Sequence, residues 1–223
     1  KRIVMSAYRP GDVARMEEQA LIFAQALLDA GKGEIDVAQD LIRRVLTENA
    51  IRLFGIGPVD PDDLANWVMA CSNMLFADPF GDAKARDMGM AASGRINALI
   101  DYRVNTLIRG GIAACGDTLL ERLVKAHLND PIKGPSRPEI RAMMLGLLVG
   151  SVPTTTLGGG RILEELSKRP QARADMVTAA KAYLMDGSAH GKGARRMEAI
   201  LQELLRLNPT IGPVMFRWSP GEA

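Results

Sequence analysis

Residues 147–156 read Leu-Leu-Val-Gly-Ser-Val-Pro-Thr-Thr-Thr, and they lie in the most apolar part of the chain. Pro153 removes a backbone donor from an apolar helix and clashes with the preceding turn, so the hydrogen-bond ladder is expected to open here. Gly150 lets another group approach closely, and the hydroxyls that follow can cap freed carbonyls or face a ligand. A simple kink, or two helices joined by a turn, explains the same residues without a ligand.

Helical periodicity dominates the sequence around this stretch. Ser136 and Glu139 have the spacing of a capping box, which predicts that the apolar stretch belongs to a long helix. Acidic residues, prolines and glycines mark the ends of the other helical segments, with Asp12 as the predicted cap of the first. The predicted helices cover about 12–30, 37–54, 60–77, 83–107, 117–128, 136–168, 171–185 and 192–207, and one strand is expected near Val214–Trp218. We therefore expect a single mainly α domain over residues 1–223.

The composition limits the classes of function. Lys and Arg outnumber Asp and Glu by only 28 to 26, and we find no basic recognition helix, so nucleic acid is not an expected partner. The longest apolar run, Ala142–Val152, is about half of the roughly 20 residues that a membrane-spanning helix needs. Cys71 and Cys115 form no CxxC pair, so neither a zinc cluster nor a disulfide framework is predicted. A cytoplasmic protein is the expectation.

A second motif is Glu203-Leu204-Leu205-Arg206, followed by Pro209. Glu and Arg three residues apart share a helical face and can form an ion pair. The flanking leucines predict that this helix is partly buried, where such a pair needs further hydrogen bonds. We therefore expect Glu203 and Arg206 to be substantially buried. An exposed ion pair of little energetic importance is the alternative.

Taken together, the two motifs resemble the cytochromes P-450, the haem-thiolate oxygenases. In that family a long distal helix carries a small-residue pair, an acid and one or two threonines, and a later helix carries Glu-x-x-Arg followed by a proline turn and an arginine. Residues 150–155 match the first pattern, with Gly150 and Ser151 as the small pair. Glu203, Arg206, Pro209 and Arg217 match the second. The segments Lys1–Pro10 and Asp117–Val124 resemble further parts of the family, in the same order.

The resemblance implies a mainly α, partial P-450 fold and a haem b oxidoreductase, a monooxygenase acting on a small apolar substrate such as a fatty acid. A ferredoxin or a reductase would be its redox partner. The resemblance implies oxygen activation for Thr154 and Thr155, and haem contacts for Gly150 and Ser151. It implies propionate contacts for Arg217 and Lys1, and a structural ion pair for Glu203 and Arg206. The implied substrate contacts are Val149, Val152, Pro153 and Ile211.

Pro153 is a departure from the family pattern, since it stands where the family has the acid. In the family that acid and the threonine deliver protons during oxygen activation. A proline at this position resembles members that rearrange hydroperoxides, whose substrate brings its oxygen already reduced. A P-450-type enzyme that rearranges fatty-acid hydroperoxides is therefore the first alternative function.

The absence of the family's cysteine loop is a larger departure. In the family this loop follows Glu-x-x-Arg, whereas Cys71 and Cys115 both precede that motif here. We therefore expect the sequence to be an internal part of a P-450 that lacks its axial cysteine and metal ligand, and to be inactive by itself. A non-enzymatic helical binding module, or a relic of the fold without haem, is the alternative from another functional class.

Overall fold

The computed structural model describes residues 7–31, 33–78, 81–188 and 190–210. Helices account for most of them: α1 (Pro10–Ala30), α2 (Arg44–Phe54), α3 (Pro61–Ser72), α4 (Ala83–Gly110), α5 (Leu119–Asn129), α6 (Arg137–Lys168), α7 (Pro170–Asp186) and α8 (Lys192–Leu207). Short helical turns complete the set: π-helical Val37–Arg43 and Asn73–Ala77, and 3-10 Ile112–Ala114. The described residues contain no strand, so the predicted mainly α class is confirmed. The strand predicted near Val214–Trp218 lies outside the described residues.

Local chemistry sets the helix ends much as the sequence predicts. Ser136 donates its backbone N–H to the Glu139 carboxylate at 2.7 Å, and this capping box starts α6. The Asp60 carboxylate accepts hydrogen bonds from the backbone of α3 at its first turn. Gly55 ends α2 with φ of 72°, a left-handed conformation that favours glycine. These capping residues are the ones that the sequence identifies.

One local prediction is wrong. Asp12 does not stand in front of α1: Arg9 precedes the helix, and Asp12 lies inside the first turn, where it accepts the Arg9 backbone N–H at 2.8 Å. Leu75, which follows α3, is 59% exposed. It lies in the π-helical turn Asn73–Ala77, whose wider turn shifts the helical phase away from the buried side.

Helix α6 runs without interruption through Pro153. It has 32 residues and is the longest helix among the described residues. The alternative of two helices joined by a turn is therefore wrong. By length and composition alone α6 is apolar enough to cross a membrane. Ile140, Met144 and Leu148 are fully buried.

Contacts between Cα atoms divide the chain into two compact units, residues 1–153 and 154–223. The core of the first unit is aliphatic and includes ten residues without any exposed surface: Ile56, Leu64, Val68, Ile96, Ile100, Leu120, Val124, Ile140, Met144 and Leu148. In the second unit α7 packs on α8, and Gly193 permits the close approach, because a Cβ there would lie 2.4 Å from the backbone nitrogen of Tyr183. The expectation of one continuous domain stays a prediction.

Candidate functional site

The α6 motif presents a face of small residues to the exterior of its unit. Ala142, Gly146 and Gly150 are exposed and follow one another at intervals of four, so they lie on one side of the helix. Among the described residues, a Cβ atom built on Gly146 or on Gly150 would meet no heavy atom within 4 Å. No described side chain therefore keeps a flat group away from these two glycines.

The opposite side of the motif is buried. Val149 and Val152 are 4% and 2% exposed and belong to the hydrophobic core of the first unit, and Pro153 is also buried. The two threonines are more accessible: Thr154 is half-buried and Thr155 exposed. The substrate contacts predicted for Val149, Val152 and Pro153 stay predictions, as does a haem contact for half-buried Ser151.

Both cysteines of the chain lie in surroundings that disfavour the thiolate form. The Cys71 thiol is 2% exposed and donates to the carbonyl of Gly89 at 3.5 Å, and burial raises its pKa. Burial and the nearby Glu121 carboxylate also raise the pKa of the half-buried Cys115 thiol. Metal binding needs the thiolate, so surroundings that raise the thiol pKa disfavour iron binding at either cysteine. The small-residue face of α6, by contrast, fits the approach of a haem.

Glu203 and Arg206 form the ion pair that their spacing predicts. The Arg206 guanidinium donates two hydrogen bonds to the Glu203 carboxylate, at 2.7 and 2.8 Å. The two side chains are 56% and 66% exposed, so the prediction that they are buried is wrong. The reason lies in the phase of α8: Leu204 is buried on one side of the helix, and the charged pair lies on the other. A structural role for the pair in the P-450 family pattern stays a prediction.

A buried charge cluster between α1 and α5 was not predicted from the sequence. Asp12 and Arg122 are 1% and 7% exposed and form a bidentate ion pair, with N–O distances of 2.7 and 2.8 Å. Arg122 also donates to the carbonyl of Ala7 at 2.8 Å and to the Asp117 carboxylate at 3.1 Å. These hydrogen bonds hold the pKa of Asp12 far below its ordinary value. The sequence shows Asp12 at a helix start and Arg122 within an apolar helix. No motif links two residues that far apart, so their pairing could not be predicted.

Three residues with predicted roles, Lys1, Ile211 and Arg217, lie outside the described residues. Among the described residues there is no group of three or more His, Cys, Asp or Glu side chains placed to hold a metal ion.

Comparisons with known proteins relate this geometry to one family. No family model matches the chain. In sequence it is 25% identical over 210 residues to the erythromycin C-12 hydroxylase of Saccharopolyspora erythraea, a match that covers 94% of this chain and 47% of the hydroxylase. In structure it is similar to the open cytochrome P450 Eryk from S. erythraea, with a TM-score of 0.72 and 22% identity over 93% of this chain and 48% of that one. The chain has part of the cytochrome P-450 fold.

A second solved structure agrees. The LnmA cytochrome P450 hydroxylase from the leinamycin biosynthetic pathway of Streptomyces atroolivaceus matches with a TM-score of 0.59 and 20% identity, over 80% of this chain and 46% of that one. The predicted relationship to the cytochromes P-450 is thus confirmed, and haem is the cofactor that these relatives imply. The chain spans about half the length of the relatives that it matches.

Proposed function

We propose that the complete protein is a cytoplasmic, haem-dependent monooxygenase of the P-450 type that acts on an apolar substrate. The observation that carries the proposal is the open face of Ala142, Gly146 and Gly150 on α6, in a chain with the P-450 fold. A flat macrocycle can lie against a helix only where side chains do not hold it away. Haem bound there would supply the oxygen chemistry, and the protein would orient the cofactor and the substrate.

The residues of this chain have distinct roles in the proposal. The hydroxyls of Thr154 and Thr155 would hold a proton during the oxygen chemistry. Arg217 and Lys1 would pair with the haem propionates, as charge-assisted hydrogen bonds favour. Val149, Val152, Pro153 and Ile211 would border the substrate. A ferredoxin or a reductase would supply electrons.

The small-residue face gives the experiment its matched control. Gly150→Leu places a bulky side chain on the proposed haem side, whereas Gly94→Leu makes the same change on α4. Gly94 is likewise a helical, exposed glycine with no atom within 4 Å of an added Cβ. We expect Gly150→Leu to reduce haem incorporation into the complete protein by about tenfold or more, equivalent to at least 1.4 kcal/mol, and Gly94→Leu to leave it unchanged. Equal haem content in both variants would overturn the proposal, and a complete protein without haem would favour the non-enzymatic binding module.

The substrate is proposed from two sources. The sequence resemblance suggests a fatty acid, and the name of one relative says that it hydroxylates erythromycin. Both ligands are apolar over most of their surface but differ greatly in bulk. Titration of the complete protein with a fatty acid and with an erythromycin-type compound, followed through the haem absorbance, distinguishes them.

Pro153 favours a second candidate function, the rearrangement of a fatty-acid hydroperoxide. It offers neither an acid nor an N–H, and proton transfer from a positioned group typically contributes about 10²–10⁴-fold to a rate. A hydroperoxide substrate bypasses much of that need. We expect wild type to turn over a fatty-acid hydroperoxide faster than it hydroxylates the acid with dioxygen and a reductase, and Pro153→Asp to reverse that preference. Efficient coupling of reductant to hydroxylation in wild type, with no turnover of hydroperoxide, would leave the monooxygenase as the better account.

A further inference from the structure

A small cavity lies where α1, α2 and the start of α5 meet. Its volume is about 190 Å³, below the roughly 300–1,000 Å³ of sites that take drug-sized ligands. Arg15, Met16 and Gln19 line it from α1, Arg52 lines it from α2, and Asp117 and Thr118 line it from the residues before α5. A ligand of this cavity is therefore small, and polar side chains are available to bind it.

Contacts between the three elements hold the walls of the cavity. Asn49 of α2 is 3% exposed, and its Nδ2 donates to the carbonyl of Met16 in α1 at 3.0 Å. Gly55, at the end of α2, packs so closely on Thr118 that an added Cβ would overlap the Thr118 hydroxyl. The fold itself thus fixes the walls, which lowers the cost of ordering groups when a ligand binds.

Arg52 brings a positive charge to the cavity without a carboxylate to neutralise it. Among the described residues its guanidinium forms no ion pair and no hydrogen bond, and it lies over the Phe23 ring, 4.7 Å from the centroid. The attraction between the cation and the ring face holds the planar guanidinium in place. Its N–H donors, which carbonyls and carboxylates usually occupy, are available for a ligand.

Asp117 does not neutralise both arginines of the lining. Its carboxylate pairs with Arg9 at 2.5 Å and with Arg122 at 3.1 Å, which are outside the lining, as well as with Arg15 at 3.3 Å. Two arginines and this one aspartate are the charged groups among the described lining residues, so their formal charge is +1. An anion is therefore the kind of ligand that the cavity attracts.

We infer that this cavity binds a small oxyanion, a phosphate or carboxylate group, through Arg52 with Arg15 and the Gln19 amide. Guanidinium groups bind oxyanions through paired, charge-assisted hydrogen bonds, which are stronger than neutral ones. Thr118 takes no part, because its hydroxyl donates to the Glu121 carboxylate at 2.8 Å in the capping box of α5. No cofactor takes part either, so the site is independent of the proposed haem chemistry.

Titration calorimetry of the complete protein at neutral pH tests this site. The probes are inorganic phosphate and acetate, each added at constant ionic strength so that general screening does not change. We expect saturable binding of at least one anion, and the stronger of the two identifies the oxyanion that the cavity prefers. Arg52→Gln should weaken that binding about tenfold or more, because it removes the charge and the paired donors.

Arg95→Gln is the matched control. Arg95 also lies over an aromatic ring, 5.8 Å from the centroid of Trp67, but on α4 and outside the cavity. Its affinity for the anion should equal that of wild type. If Arg52→Gln does not fold, Gln19→Leu replaces it and should weaken binding in the same direction. No saturable binding of either anion to wild type, or an equal loss in Arg52→Gln and Arg95→Gln, would overturn the inference.

Discussion

Two carboxylate–arginine pairs, Asp12–Arg122 and Glu203–Arg206, lie in opposite surroundings. Asp12 and Arg122 are 110 residues apart in sequence and almost without exposed surface. Glu203 and Arg206 are three residues apart, and both are more than half exposed. The hydrogen-bond lengths are nearly the same, 2.7 to 2.8 Å in each pair. Geometry at the contact therefore does not distinguish them; burial does.

The difference teaches where an ion pair matters. When an exposed pair separates, water solvates each charge almost as favourably as the partner did. Forming such a pair therefore changes the free energy of unfolding little. A buried charge has no such replacement, and removing its partner leaves it unsolvated. Removing one partner is therefore expected to cost little at the pair that the sequence motif identifies, and much at the pair that no motif identifies.

The largest effect expected from this comparison concerns the two arginines. Arg122→Met should destabilise the protein by about 3–5 kcal/mol, because it leaves the Asp12 carboxylate buried without its main partner. Arg206→Met should leave the unfolding midpoint in urea unchanged within error. Urea unfolding of both variants and wild type, side by side, is the measurement. Equal shifts would mean that burial does not decide the energetic importance of these pairs.

A smaller effect concerns acid. The Arg122 hydrogen bonds lower the pKa of Asp12 in the folded state, whereas the unfolded carboxyl titrates near 4. Because the pKa is lower in the folded state, the ionised Asp12 stabilises the fold. This stabilisation is complete above the unfolded-state pKa and is lost as the pH falls toward the folded-state pKa. Asp12→Asn should therefore reduce stability at neutral pH and flatten its decline below pH 4. Thermal melts from about pH 6 to pH 3 test this expectation, and an unchanged pH profile would contradict it.

The smallest effect concerns a pair of intermediate exposure. Arg141 and Asp101 join α6 to α4 at 2.9 Å with side chains 43% and 42% exposed. Removing Arg141 should cost about 0.2–1 kcal/mol, and the cost should fall in high salt because solvent ions screen the pair. Melting temperatures of Arg141→Met and wild type at low and high salt measure it. A salt-independent loss as large as that of Arg122→Met would break the ranking by burial.

Local patterns account for what the sequence predicted well. The range predicted for α8 is the one observed, Lys192–Leu207, and Ser136, Asp60 and Gly55 mark helix ends as expected, because caps depend on neighbours in the chain. The family resemblance likewise rests on short motifs in order.

Tertiary contacts account for what the sequence did not reveal. Asp12 looks like an ordinary helix-start acid, and only the folded chain brings it to Arg122, 110 residues away in sequence. The exposure of Glu203 depends on which side of α8 meets α7, which leucines on both sides of the motif do not specify. The π-helical turn Asn73–Ala77 leaves Leu75 exposed, and no residue type signals such a turn reliably.

We propose that the complete protein is a thiolate-ligated haem protein whose ligand is neither Cys71 nor Cys115. The most direct test is the absorbance spectrum after reduction and addition of carbon monoxide, because the axial ligand sets the position of the Soret band. The complete protein should give the long-wavelength band of a thiolate-ligated haem, unchanged by Cys71→Ser and Cys115→Ser, and residues 1–223 supplied with haem should not give it. A complete protein without that band, or a band from residues 1–223 that Cys115→Ser abolishes, would contradict the account.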